Sequence, residues 1–245
     1  MALFGKKQPR EAKTPFCSAV IVAAGSASRM GGTDKIMTEL GGEVVIRRTI
    51  RAFEENPHIS EILIVTREAL LEPIAKLCAD AAFTKTRSVL LGGQTRSDSV
   101  RAGLDNLSKK AKYVAVHDGA RPLVSQEIIT KTVRSAVKYG AAAPAIPVKD
   151  TIKRAKNGFI LETPPREELF AVQTPQVFDV DLLRAALHDA AEKNAALTDD
   201  CSAVERIGMR VFLTEGEERN LKITTPPDLH MAESFLQNET EVKPE

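Results

Sequence analysis

The chain has 245 residues, 43% of them hydrophobic and 27% charged, with a formal net charge of +1. That composition is ordinary for a globular protein, and the length gives one α/β domain enough core to need no covalent staples. A near-neutral charge supplies no overall field for nucleic acid or an anionic membrane, and 4% aromatic residues without Trp offer no stacking platform for single strands. Cys17, Cys78 and Cys201 are odd in number, far apart and outside any CxxC pattern. They argue against a disulfide framework or zinc site and suit a reducing cytoplasm.

The first fifteen residues, MALFGKKQPREAKTP, are basic but lead into no long apolar segment, so a flexible N-terminus is expected. The apolar run at Ala19–Ala24 is too short to cross a bilayer and reads as a buried strand. Short apolar runs then alternate with amphipathic stretches. Strands are predicted at Ser18–Ala24, Glu61–Thr66, Ser88–Leu91, Tyr113–Val116 and Ala141–Pro147. Helices are predicted at Val45–Glu54, Leu70–Ala79, Arg96–Leu107 and Ser125–Tyr139. Alternation of this kind predicts βαβ units: a Rossmann-like α/β fold with a mainly parallel twisted sheet flanked by helices. Right-handed crossovers place the strand C-termini and their loops along one edge.

Lys149–Gln173 breaks the rhythm. Extended pieces at Thr151–Arg154 and Gly158–Leu161 flank Asn157-Gly158, a strong hairpin signal, and predict an arm projecting from the sheet. Helices at Asp179–Asn194 and Asp199–Ile207, a strand at Arg210–Leu213, and a last helix capped by Thr224–Thr225 and opened by Pro226 complete the chain. A single domain over about 16–237 is expected, with a polar, frayed tail at 238–245.

The segment VAAGSASRMGGTDK after the first strand carries the first chemical signal. Small residues let backbone amides approach a ligand beyond a strand end, and Arg29 and Lys35 add two positive charges. The combination fits a triphosphate; the alternative is a strand-end turn whose basic residues are only solvated. It is not a Walker A loop, because Gly32-Thr33 stands where Lys-Ser/Thr belongs. Nor is it a dinucleotide fingerprint, because Ala27 replaces the glycine that must approach the pyrophosphate.

AAGSASRMGGTDK, LLGGQTRSDSVRAGL, VAVHDGARPLV, PVKDTIKR, QTPQVF, LTDDCSAVE and NLKITTPPDL follow one another over Cys17–Leu236. In that order and spacing they resemble the 2-C-methyl-D-erythritol 4-phosphate cytidylyltransferase family of the non-mevalonate isoprenoid pathway. The resemblance implies a fold of the nucleotide-diphospho-sugar transferase type. It also implies an activity that moves CMP from CTP to the methylerythritol phosphate, giving 4-diphosphocytidyl-2-C-methyl-D-erythritol and releasing pyrophosphate, with Mg²⁺ or another divalent cation as cofactor. Ala23, Ala24 and Gly25 match the backbone surface against CTP. Gly93, Gln94 and Ser99 match the cytosine and ribose contacts. Arg29 and Lys35 match the basic pair at the triphosphate. Asp118, in His117–Arg121, matches the metal-holding aspartate near the substrates. Thr151 and Arg166 resemble arm residues that complete a partner subunit's site in a homodimer. Arg121, Thr174, Thr198 and Lys222 match further positions at the acceptor.

Two positions depart from the family pattern. Asp34 stands where proline usually precedes the loop lysine and places a negative charge beside the triphosphate site. Gln94 stands where an acidic residue is common, and an amide can still both donate to and accept from a base edge. Several readings stay open at this stage. Asp118 and Arg121 could bond backbone or each other, and His117 reads as structural, since the chemistry needs no imidazole. Asp199 and Asp200 could merely cap a helix, Lys153 and Arg154 read as arm-surface charges, and Arg96 could open a helix or reach the nucleotide. Within the reaction class, ribitol 5-phosphate is the alternative acceptor. A nucleotide-binding subunit without turnover is the alternative outside it.

Overall fold

The computed structural model describes residues 15–25 and 34–241, so the expectations for Arg29 and for nearly all of the N-terminal segment lie outside the described residues. In chain order the elements are β1 (Cys17–Ala23), β2 (Glu39–Leu40), β3 (Glu43–Val44), α1 (Val45–Glu54), β4 (Glu61–Thr66), α2 (Leu71–Asp80), β5 (Thr86–Leu91), α3 (Arg96–Asp105), β6 (Tyr113–Asp118), α4 (Gln126–Tyr139), β7 (Ala141–Pro147), β8 (Arg154–Lys156), β9 (Phe159–Glu162), β10 (Phe170–Val172), β11 (Gln176–Asp179), α5 (Val180–Glu192), α6 (Asp200–Arg206), β12 (Phe212–Glu215) and α7 (Pro226–Glu241). The main sheet runs β10-β7-β11-β6-β1-β4-β5, with β12 alongside β7. β5, β4, β1 and β6 are parallel neighbours, while β11 pairs antiparallel with β6 and β7, and β10 antiparallel with β7.

Period-two alternation divides the sheet's side chains between two cores. Ala19, Ile21, Ile62, Ile64 and Ala115 face one layer, packed by Ile46, Ile50 and Phe53 of α1 and Ile128, Ile129 and Val133 of α4. Val20, Val65, Val114 and Val116 face the other, under α3, α5 and α6, with Phe178 at its centre. Gly103 of α3 lies where a Cβ would come within 2.5 Å of Val20, so its lack of a side chain lets the helix settle on β1. A smaller cluster of Leu40, Val45, Leu123, Ile223 and Ala232 seats α7.

The chain passes from β1 outward to β4 and β5, then returns to the opposite side of β1 to form β6. This creates a switch point at which the crossovers leave in opposite directions, and the crevice beyond the strand ends opens there.

Several details differ from the sequence reading: the β2–β3 hairpin was not anticipated, and the strand expected at Arg210–Leu213 forms at Phe212–Glu215. The arm strands are Arg154–Lys156 and Phe159–Glu162, so Thr151–Lys153 approach the hairpin without pairing in it. Asn157 and Gly158 turn it with φ of 52° and 82°, the left-handed pair that a two-residue hairpin turn of this kind requires. Strands β10 and β11 run against the sheet direction, and neither was anticipated, because Pro175 and the polar Gln173 and Gln176 interrupt the apolar pattern there. Finally, α7 continues through Glu241 instead of giving way to a frayed tail near Asn238.

Candidate active site

Strand ends β1, β4, β5 and β6 deliver four short segments to one edge. Backbone bonds lock them together: the Gly92 amide donates to the Thr66 carbonyl (2.7 Å), the Gly119 amide to the Val22 carbonyl (2.8 Å), and the Thr66 hydroxyl to the Ala23 carbonyl (3.2 Å). Between them lies a cavity of about 410 Å³. Val22 to Gly25 form one wall, Gly93 to Arg96 with Ser99 another, and Asp118 and Ala120 the floor, while Lys35 and Lys222 reach in from later segments.

The Gly93–Ser99 wall is built by a helix start. Thr95 caps α3, its hydroxyl accepting from the Asp98 amide (3.1 Å) while the Asp98 carboxylate accepts from the Thr95 amide (3.0 Å). Buried Ser99 takes the Gly93 amide on its hydroxyl (3.2 Å) and donates to the Thr95 carbonyl (3.1 Å). A Cβ on Gly93 would come within 2.2 Å of the Asp98 Cβ. Gly93→Ala is therefore expected to lower the unfolding free energy by about 1–3 kcal/mol, as overpacking does. An unchanged urea midpoint would show that the helix start yields to the methyl.

Asp118 sits at the centre of the charges. Lys222 Nζ lies 3.0 Å from Oδ2, Arg121 Nε 3.4 Å from Oδ2, and Arg96 Nε 3.4 Å from Oδ1. Burial on its own would raise the Asp118 pKa, but Lys222, Arg96 and Arg121 outweigh it and hold the carboxyl well below the usual carboxylate range. Arg96 also bonds Asp200 through Nη1 at 2.7 Å. Asp200 is fully enclosed, its Oδ1 has no hydrogen-bond partner, and burial pushes its pKa up against the pull of Arg96. Arg96 thus bridges two carboxylates, which keep it protonated despite its burial.

A neutral chain of hydrogen bonds fixes Asp118 from behind. Its amide donates to Thr174 Oγ1 (3.1 Å), Thr174 Oγ1 lies 3.0 Å from His117 Nδ1, and His117 Nε2 lies 3.2 Å from the Arg121 carbonyl. A carbonyl only accepts, so Nε2 carries the proton and Nδ1 takes the one from Thr174. Burial lowers the His117 pKa to about 3, so the ring stays neutral. Arg121 in turn donates to the Asn220 carbonyl (2.6 Å), and Asn220 Nδ2 donates to the Thr174 carbonyl (2.9 Å). The loop that carries Lys222 is thereby fastened to the β6 end.

Of the residues singled out in the sequence, the structure gathers Ala23, Ala24, Gly25, Lys35, Gly93, Gln94, Ser99, Asp118 and Lys222 around one cavity. Arg121 and Thr174 stand behind Asp118, the Thr174 hydroxyl being committed to His117 and the Asp118 amide. Thr198 is exposed just ahead of α6, and Thr151 and Arg166 are exposed on the arm; none of the three lines this cavity. The Arg166 guanidinium donates to the Lys149 carbonyl (3.1 Å). His117 is buried behind Asp118 with both ring nitrogens hydrogen-bonded.

Asp199 is the cap of α6, while Asp200, one residue on, turns inward under Arg96. Gln176 of β11 sets this turn: its Oε1 accepts from the Asp200 and Cys201 amides (3.0 and 3.1 Å), and its Nε2 donates to Asp199 (2.7 Å). Arg96 and Asp200 were not separable from cap residues by sequence. One available signal was the position of Arg96 in the first turn of a helix, where the dipole disfavours a cation unless carboxylates hold it. The charge expected from Asp34 is not left bare, because Arg67 pairs with it.

The profile of the family described as IspD, 2-C-methyl-D-erythritol 4-phosphate cytidylyltransferase, matches residues 17–238. A protein of that name from Caldanaerobacter subterraneus is 44% identical over 222 residues, covering 89% of this chain and 98% of its own. One from Halalkalibacterium halodurans is 43% identical over 221 residues, covering 89% and 96%. The crystal structure of 4-diphosphocytidyl-2C-methyl-D-erythritol synthase from Anaerococcus prevotii superposes with a TM-score of 0.83 at 31% identity, covering 91% of this chain and 97% of that one. That of the Thermus thermophilus cytidylyltransferase gives 0.73 at 33%, covering 89% and 98%. The cavity at the switch point, its cation-ringed aspartate and these likenesses agree: the chain belongs to the 2-C-methyl-D-erythritol 4-phosphate cytidylyltransferase family.

Proposed function

We propose that this protein transfers the cytidylyl group of CTP to 2-C-methyl-D-erythritol 4-phosphate and releases pyrophosphate. The observation that carries the reading is the cavity that Lys35 lines together with a strand-end aspartate paired to Arg96 and Lys222, beside the Gly93–Ser99 wall. The acceptor's phosphate has a second pKa of about 6, so it is already an anionic nucleophile near neutrality. Its oxygen attacks the α-phosphorus in line, a new P–O bond forms, and the bond to the pyrophosphate oxygen breaks. No general base is required, and the one histidine at the site is locked neutral behind Asp118. What remains is positioning and charge stabilisation. Lys35 and Lys222 supply charge at the cavity, Arg96 is held rigid by its two carboxylates, and the Gly93–Ser99 wall and the Gln94 amide face the base.

Asp118, ionised and lining the cavity, is the carboxylate there that would hold a divalent cation once the partly exposed Lys222 swings off its Oδ2. Among the described residues no group of three His, Cys, Asp or Glu side chains forms a metal site. Mg²⁺ needs none where one carboxylate and substrate phosphates share its shell. When bound there it would neutralise charge on the triphosphate, with Asp118 as its protein ligand.

The dimer reading rests on the arm. Phe159, Ile160 and Leu161 are 76%, 63% and 53% exposed, an apolar edge that a second copy would cover. On this reading Thr151 and Arg166, which do not line their own chain's cavity, complete the partner's acceptor site. A Phe159→Glu variant is expected to sediment as a monomer and to lose acceptor turnover while retaining CTP binding. A fully active monomer would contradict a shared site. No described helix is long and apolar enough to cross a membrane, and three buried free thiols fit the cytoplasm.

The direct test offers CTP and Mg²⁺ with either methylerythritol phosphate or ribitol 5-phosphate and measures pyrophosphate release. Release with the first acceptor is the expected result. Release with ribitol 5-phosphate alone would transfer the reading to the other acceptor, and CTP binding without release from either would reduce the protein to a nucleotide-binding subunit.

A further inference from the structure

We propose that Arg67 is a positioning residue for the nucleotide site, acting as a clasp between Gly25 and Asp34 that sets Lys35 in the cavity; the proposal rests on the CTP reading of that site. Arg67 directly follows β4, at the strand end beside β1. One guanidinium nitrogen pairs with Asp34 Oδ2, and the other donates to the Gly25 carbonyl at 3.4 Å. A single side chain thus joins the Gly25 end of the β1 wall to the turn that carries Lys35. Asp34 is anchored a second time within its own turn. Its Oδ1 accepts from the Ile36 amide (3.2 Å), and its carbonyl accepts from the Met37 amide (3.0 Å) and the Thr38 hydroxyl (2.9 Å). Lys35 lies inside that turn and lines the cavity with Gly25 and Ile36. The turn is also tied to the start of α1, where the Ile36 and Thr38 carbonyls accept from the Ile46 and Val45 amides (both 2.9 Å); Arg67 adds the tie from the Asp34 side chain to the end of β1, on the cavity side of Lys35.

The pair does two physical things. It neutralises a carboxylate one residue from a phosphate-facing lysine, and it fixes the turn from which that lysine projects. Arg67 and Asp34 side chains are 34% and 19% exposed, a part-buried pair whose loss lowers stability modestly. A displaced catalytic cation is far more costly, because a misplacement of about 1 Å can reduce rate by ~10²-fold.

Arg67→Ala is expected to lower kcat/KM for CTP by roughly tenfold or more, in a protein that still unfolds cooperatively and stays fully folded at the assay temperature. Asp34→Ala/Arg67→Ala should be no worse than the poorer single variant, since both remove one device. Against a Lys35→Ala background, Arg67→Ala should cost nothing further, whereas an independent role would reduce the rate again. Hydrogen exchange gives a readout that needs no turnover: Arg67→Ala should accelerate the Ile36 and Met37 amides selectively. Absence of pyrophosphate release from the unsubstituted protein would defeat the CTP reading, and the exchange result would still decide the clasp. Unaltered exchange at Ile36 and Met37, or a second loss of rate without Lys35, overturns the proposal.

Discussion

Lys222→Ala is expected to lower turnover by roughly 10²–10³-fold, the usual cost of removing one donor that stabilises developing transition-state charge. Lys222 is more than a third exposed and contributes little packing, and its ammonium projects 3.0 Å from Asp118 into the cavity. Without it, Arg96 and Arg121 still balance the buried carboxylate, so the unfolding free energy should move little. Lys35→Ala should show the same separation of rate from stability. The measurement is steady-state pyrophosphate release beside a denaturant titration. A loss of stability matching the loss of rate would make Lys222 a structural counter-ion and remove it from the chemistry.

The second large effect is on stability and depends on pH. Burial lowers the folded pKa of His117 to about 3, against about 6.5 in an unfolded chain. Below 6.5 the unfolded chain takes up a proton that the folded protein refuses, so stability falls as pH falls. Between pH 6.5 and 5, this one ring should remove about 1.5 kcal/mol. Protonation would also place a donor at Nδ1, against a Thr174 hydroxyl already accepting from the Asp118 amide. Asp118, whose folded pKa is depressed, adds to the acid loss only below about pH 4. Denaturant titrations across pH 5–7 measure the slope, and the imidazole resonances should stay fixed while the fold persists. A His117→Gln variant, if it folds, should have a flatter profile. A His117 titrating near 6 in the folded protein would refute the assignment.

The repeating part of the fold was legible because its physics is local. Glu61–Thr66, Ala141–Pro147 and Val45–Glu54 form as their apolar spacing predicts, since each has only to bury one face or fill one layer. Asn157-Gly158 announced its hairpin through backbone sterics alone. What escaped was decided by distant partners. β11 is a strand because it fits between β6 and β7, and nothing within QTPQVF states that. Asp199 and Asp200 are chemically alike, and only the approach of Gln176 and Arg96 assigns one to the helix cap and the other to the interior. Asp34 read locally as an unwelcome charge, because its partner lies 33 residues later in the chain, at the end of a neighbouring strand.

Gln176 has a further consequence. Its amide presents an acceptor to two helix amides and a donor to Asp199, so the junction is directional. Glutamate has nearly the same shape but would set one carboxylate against another. Leucine would leave two buried amides without partners and take from Asp199 one of its two donors, the other being the Ser202 amide. The residue therefore works as a keyed joint: it fixes the rotation of α6 relative to the sheet, and with it how deeply Asp200 sits beneath Arg96. An antiparallel strand with no side chain in the cavity thereby sets the height of a guanidinium on the opposite wall.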